Sequence, residues 1–362
     1  MVDSGLITIA KKEFFDHVRS RKFLLIFGIF LVVAIIGMIG GVAEYNDTVK
    51  MYNDKQAVTI STSDSAIQTT SYLAKPSILL VFYHMSTPFM MIGVILGIAM
   101  GFDLISKERE SKSLKVLLAH PVYRDEVING KALGGIAALL LALGIVFVLS
   151  VATLLISGLV PDGTEVLLIL IFCAISFLFI FTFFPIALCM SAITEDSGKA
   201  LIYTLIIYTI LVGFIPILMS TPAISESVLG PAPEMPKLVS DQMNQATVAD
   251  SSSGMSSGAS AELIRYQQQV KEYSDRQTAF TQTLSLFSPT GNYQKLTVSL
   301  TNPTVASAMY GSAMGEAAGT GDRGVDIPGL LSMLSINILA LALIPAIFFG
   351  IAYVRFMRMD IR

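Results

Sequence analysis

Six uninterrupted apolar runs, each long enough to cross a bilayer, constrain this chain more than any other feature. They lie at about 23–43, 78–102, 132–160, 166–193, 199–219 and 329–354. A transmembrane helix needs roughly 20 apolar residues to cross a ~30 Å hydrocarbon core. Lipid offers the backbone no hydrogen-bond partner, so such runs become helices. Composition agrees, with 53% of the 362 residues apolar, 14% charged and a mean hydropathy of +0.69. Soluble domains carry about 25% charge. The expected class is therefore an all-α multi-spanning membrane protein with six transmembrane helices. Pro185, Pro216 and Pro345 fall inside the last three runs and predict kinks. The links Val160–Thr164 and Thr194–Gly198 are short, which makes spans three, four and five sequential neighbours. The first run is longer than a signal h-region and follows 22 mixed residues, so a cleavable signal is not expected.

Charge placement orients the bundle. Segments 1–22, 103–131, 194–199 and 355–362 hold 15 of the 24 Lys/Arg, although segments 44–77, 161–165 and 220–328 are together much longer. By the positive-inside rule both termini and the loop 103–131 are expected in the cytoplasm, in the plasma membrane of a prokaryote. Residues 44–77 form an outer loop and 220–328 a large extracytoplasmic region. The sixth span, 329–354, leads to a short inner tail, 355–362.

The loop 103–131 is the densest charged stretch, with six Lys/Arg and five Asp/Glu held between two spans. Glu108, Arg109, Glu110, Arg124 and Glu126 supply charge complementarity for a soluble partner, which sets register and partner choice more than affinity. Leu114, Leu117 and Leu118 supply an apolar anchor. Pro121 ends a helix that continues from span two through 104–119, and Tyr123–Lys131 restart one toward span three. Residues 5–22 read as an amphipathic helix. Leu6, Ile9, Phe14 and Val18 share a face, with Ile7 and Phe15 at its edge and Lys11, Lys12, Asp16 and Arg19 opposite. Such a helix lies in the membrane interface with its basic groups toward headgroups.

The region 220–328 has parts. Residues 221–260 are rich in Ser, Pro, Ala and Gly and read as loosely ordered. Leu263, Tyr266, Val270, Tyr273, Gln277, Phe280 and Leu284 recur in steps of three and four, a heptad-like seam along a helix at 261–286. Its partner is a helix from 44–77 or the same helix of a second copy. Residues 287–293 read as a turn, followed by an amphipathic piece to about 300.

Several chemistries are absent. There is no G-x-x-x-x-G-K-[ST] motif, so no ATP site of that type is expected. His17, His84 and His120 are scattered, so no zinc site is expected. Cys173 and Cys189 share one span, about 24 Å apart at the usual helical rise, and cannot bridge. The 17 methionines read as gap-fillers rather than a metal path. The spans carry almost no internal charge, which argues against an ion pathway and toward a machine powered from outside itself.

Ile105–Glu110, Ser113–Leu118, Pro121–Glu126 and Gly130-Lys131 together resemble the loop between spans two and three of ABC-2 type transporter permeases. Ala10–Asp16 (with Lys11, Lys12, Glu13 and Phe14) and Arg19–Phe23 resemble the interfacial helix of the same family. Residues 221–280 depart from the compact outer regions of its simplest members. The resemblance implies a permease subunit of an exporter, with no catalytic residues and no cofactor of its own. ATP and magnesium would be held by a separate ATP-binding subunit docked on loop 103–131. The other partners implied are a second permease copy and membrane lipid; no nucleic acid is expected. The competing reading is a membrane-anchored surface or sensory protein acting through 220–328.

Overall fold

The computed structural model describes residues 5–61, 76–113, 123–237, 257–318 and 325–359. Among these residues it is wholly helical. A first helix, α1 (Gly5–Arg19), precedes the first span, α2 (Arg21–Ser61). Span two is built from α3 (Leu80–Pro88) and α4 (Val94–Gly101), joined by a π-helical turn at Phe89–Gly93. A short helix, α5 (Ser106–Glu110), follows it. Span three is α6 (Arg124–Ile156) and span four α7 (Gly163–Ile193). Span five comprises α8 (Ser197–Tyr208), a π-helical stretch Thr209–Phe214 and α9 (Ile215–Ser220). Then come α10 (Pro222–Leu229), α11 (Ser257–Ser285), α12 (Pro289–Thr301), α13 (Pro303–Tyr310) and α14 (Ser312–Ala317). The last span is α15 (Ile327–Met357). Six helices meet the length and hydropathy that a membrane crossing needs.

The ends of these helices follow from local chemistry. Asp162 caps α7 in a capping box with Glu165, whose carboxylate accepts from the Asp162 amide at 2.9 Å. Asp196 caps α8 through the Gly198 amide at 2.7 Å, and Asp326 caps α15 through Gly329 at 3.2 Å. The prolines act unevenly. Pro216 follows the π-helical stretch of span five, whereas Pro185 and Pro345 lie inside unbroken helices. Pro88, which the sequence reading passed over, adjoins the π-helical turn of span two.

The chain divides into two compact units, residues 1–210 with 289–362, and residues 211–288. Spans two and four form the core of the first. Gly93, Gly97 and Gly101, spaced one turn apart, let span two lie against span four. A Cβ on Gly97 would stand 2.6 Å from the Ile180 carbonyl, and one on Gly101 2.5 Å from that of Phe184. Small residues at this spacing permit close backbone approach between membrane helices. Phe82, Phe89, Phe147 and Phe172 pack beside them as an aromatic cluster.

In the 220–328 region the turn expected at 287–293 is over by residue 288, and α12 starts at Pro289, which is preorganised for a first helical position. The amphipathic piece expected to about 300 is this helix. It packs against α3, α7 and α15, and Asn292, Tyr293 and Leu296–Thr301 are all buried. Tyr293 stacks on Phe179 at 4.3 Å and its hydroxyl lies 3.0 Å from the Ser176 hydroxyl. The Asn337 side-chain amide donates to Asn292 Oδ1 at 2.8 Å. In the second unit α11 covers the predicted 261–286, and it packs on α9 and α10 of this chain. Residues 44–61 in turn are no loop but the continuation of α2, since no breaker interrupts them. Of residues 221–260, read as loosely ordered, 222–229 are instead helix α10 and 257–260 begin α11, while 238–256 lie outside the described residues.

Candidate functional site

The site is the end of the bundle at which both termini emerge, and α1 is its floor. Gly130 and Gly134, one turn apart on α6, give α1 a seat. A Cβ on Gly130 would meet the Ile9 side chain at 2.9 Å, and one on Gly134 would meet the Glu13 Cβ at 2.6 Å and the Ala10 carbonyl at 2.8 Å. Ile9 and Glu13, also one turn apart, are the buried residues of α1. The predicted polar face holds: Lys11, Lys12, Asp16 and Arg19 are exposed, with the Arg19 guanidinium 5.5 Å from the Phe15 ring. Phe14 is half-buried. The centre of the packed face, however, is the carboxylate Glu13.

Lys131 answers that carboxylate. Its Nζ donates to Glu13 Oε1 and to Glu108 Oε1, each at 2.7 Å, and the side chain is 1% exposed. Three elements therefore meet at one ammonium: α1, α5 and α6. The cluster holds two carboxylates and one cation, and Glu108 Oε2 is buried with no hydrogen-bond partner. His17 lies one turn beyond Glu13. Burial lowers its pKa from the ordinary value, although Glu13 and Asp103 pull the other way.

The helix expected to run unbroken from span two through 104–119 does not. It ends at Gly101, turns through residues 102–105 and restarts as α5. The reason is a side chain from another span. Ser191 Oγ of α7 accepts from the amides of Ile105 and Ser106, each at 2.9 Å, and donates to Ser106 Oγ at 3.1 Å. One hydroxyl thus satisfies two amides that the helix start leaves open.

Four other charged residues of the loop contact further parts of the chain at this end. Arg109 donates to the Thr194 carbonyl at 3.2 Å and to Glu195 at 2.8 Å, and Ser197 donates to Glu110 at 2.6 Å. Arg124 donates to the carbonyls of Met357 at 3.3 Å and Met359 at 2.8 Å, closing the C-terminus of span six. Lys22 pairs with Asp103 at 3.1 Å. Lys22, Asp103, Lys107, Glu110, Ser111 and Ser197 line an open cleft of about 410 Å³.

Of the residues singled out from sequence, Glu13, Glu108 and Lys131 come together at one point, and Gly130 seats α1 beside them. Arg109 and Glu110 contact the 194–197 link, and Arg124 the end of span six. Glu126 is half-buried. Leu114, Leu117, Leu118 and Pro121 lie outside the described residues. Sequence reasoning missed Ser191, Glu195, Ser197 and the Lys22–Asp103 pair. It also missed Gly134, whose four-residue spacing from Gly130 was an available signal.

Among known proteins, the model of a family described as ABC-2 family transporter protein matches residues 7–361. No curated protein matches the chain.

Proposed function

This chain belongs to the ABC-2 family of transporter proteins, matched along almost its whole length, and on that premise we propose that it is the permease subunit of an exporter driven by a separate ATP-binding subunit. The family is the membrane component of a transporter, not its catalytic ATPase. The docking surface is the loop 103–131, with ATP and magnesium bound in the partner. Both termini face the cytoplasm of a prokaryote.

The observation that carries this reading is the construction of the terminal face. Loop 103–131 is joined by side chains to α1, to the 194–197 link and to the end of span six. A force applied at that loop reaches three other parts of the chain. Lys107, Glu110 and Lys112 remain exposed there and are available to a partner. A second permease copy is supported by span five, of which only 6% is buried. The surface-protein alternative loses support because α12 belongs to the bundle, so 220–328 is not one separable module.

The test is co-purification of an ATP-binding subunit from gently solubilised native membranes, with Lys107→Glu/Lys112→Glu as the contrast. These two side chains are exposed and form none of the internal ties described above, so the variant folds. Loss of the subunit from the variant supports docking on the loop. Equal recovery from both proteins, or no subunit at all, rejects it.

A further inference from the structure

Resting on the reading of loop 103–131 as the docking point, we propose that Lys131 is a positioning residue for transport. It is the joint through which motion of the loop helix α5 reaches span three and α1 together.

The direct route is irregular. Residues 102–105 are hydrogen-bonded turn rather than regular α-helix, so α5 joins span two through an irregular segment. A helix as short as Ser106–Glu110 does not hold its own shape, because so few residues barely exceed the helical nucleus. Its start is held to span four by Ser106 on Ser191, and beyond that residue its position is set by side-chain grips that differ. Arg109 grips Glu195, which is 83% exposed, and an exposed pair is screened and weak. Glu108 grips Lys131, which is 1% exposed against 20% for Glu108, and there a charge-assisted hydrogen bond is less screened. Beyond Lys131 there is no slack. The glycine seat holds α1 against α6 at backbone contact, and Glu13 ties the same ammonium from the far side. A displacement of Glu108 therefore carries span three and α1 as one body.

The charge count assigns the two carboxylates different parts. Removing Glu13 would free α1. Removing Glu108 leaves a matched Lys131–Glu13 pair, so the fold keeps its balanced charge while α5 loses its grip. Glu108 is the detachable link, and it can be cut without an unpaired ion being left behind.

The experiment is hydrogen–deuterium exchange on the full chain in lipid nanodiscs, wild type against Glu108→Ala. Exchange of the amides in 106–111 rises by about tenfold in the variant, the equivalent of one lost charge-assisted hydrogen bond. Unchanged exchange there overturns the joint. The second arm uses the complex with its ATP-binding subunit, with ATP and vanadate as the probe. In the wild type the probe shifts exchange in 106–111 and in 124–135. In Glu108→Ala the shift persists in 106–111 and disappears from 124–135. A shift in 124–135 that survives the substitution overturns the proposal, since a purely structural Glu108 would not separate the two segments. If Glu108→Ala does not fold, Glu108→Gln is read in the same way. If no ATP-binding subunit associates with the wild type, the docking reading fails by itself, and the joint is judged on the first arm alone.

Discussion

Lys131 and Asn337 are both polar, both 1% exposed and both on membrane helices, yet they are satisfied by different chemistry. Lys131 stands just before the apolar run of span three and meets two carboxylates. Asn337 lies eight residues inside the apolar run of span six, about 12 Å along the axis at the usual helical rise. There it meets a neutral amide, Asn292, and the neighbouring seat of α12 is a pair of hydroxyls, Tyr293 and Ser176. The difference follows depth. A buried ion becomes more costly toward the centre of the bilayer, whereas an amide or hydroxyl pair is tolerated there. Ions therefore pin the elements at the terminal face, and neutral pairs pin α12 within the bundle.

Substitutions can break this contrast. Lys131→Met alone strands two buried carboxylates, and the expected loss is about 3–5 kcal/mol, read as a large drop in thermal stability in detergent or nanodiscs. A loss below that of Glu108→Ala would mean that the cluster is not ionised as drawn. Asn337→Asp places an ion at depth, with an expected cost of about 2.5–3.5 kcal/mol on the insertion scale. Equal stability of Asn337→Asp and wild type would remove depth as the explanation. Gly134→Leu overfills the seat of α1, at about 1–3 kcal/mol, and should expose α1 to protease while leaving the spans protected. Asn337→Leu loses one neutral pair and should cost only about 0.6–1.7 kcal/mol. The smallest effect is one of pH. His17 has a lowered folded pKa, so it costs nothing while neutral in both states. Stability declines as pH falls below about 6.5, where the unfolded chain takes up a proton that the folded chain resists. His17→Gln should flatten that part of the pH–stability profile, and an unchanged profile would place the titration elsewhere.

Much of this was legible in residue order. The six spans, the N-terminal helix and the helix at 261–286 each depend on a pattern within one segment. The resemblance that named the family rested on contiguous motifs in the same way. Glu13 was marked on the interfacial helix, and Glu108 and Lys131 on the docking loop, as unrelated residues. Nothing local says that Glu13 lies 2.7 Å from a lysine 118 residues away. The helix break at 102–105 was missed for a similar reason. Its cause is the hydroxyl of Ser191, a single serine within an apolar run.

Sequence alone determined that this chain is helical and crosses a membrane, because lipid leaves a long apolar run no other way to satisfy its backbone. It also determined where several helices begin, since Asp162, Asp196 and Asp326 cap from their own neighbourhood. The tertiary structure decided which charges are spent inside the molecule, that α12 enters the bundle, and that α11 packs on its own chain. Those outcomes depend on close approach between distant segments, set by glycines whose partners no local pattern names. A buried ion pair is satisfied only by atoms within hydrogen-bond reach, and the packing of whole helices brings those atoms together.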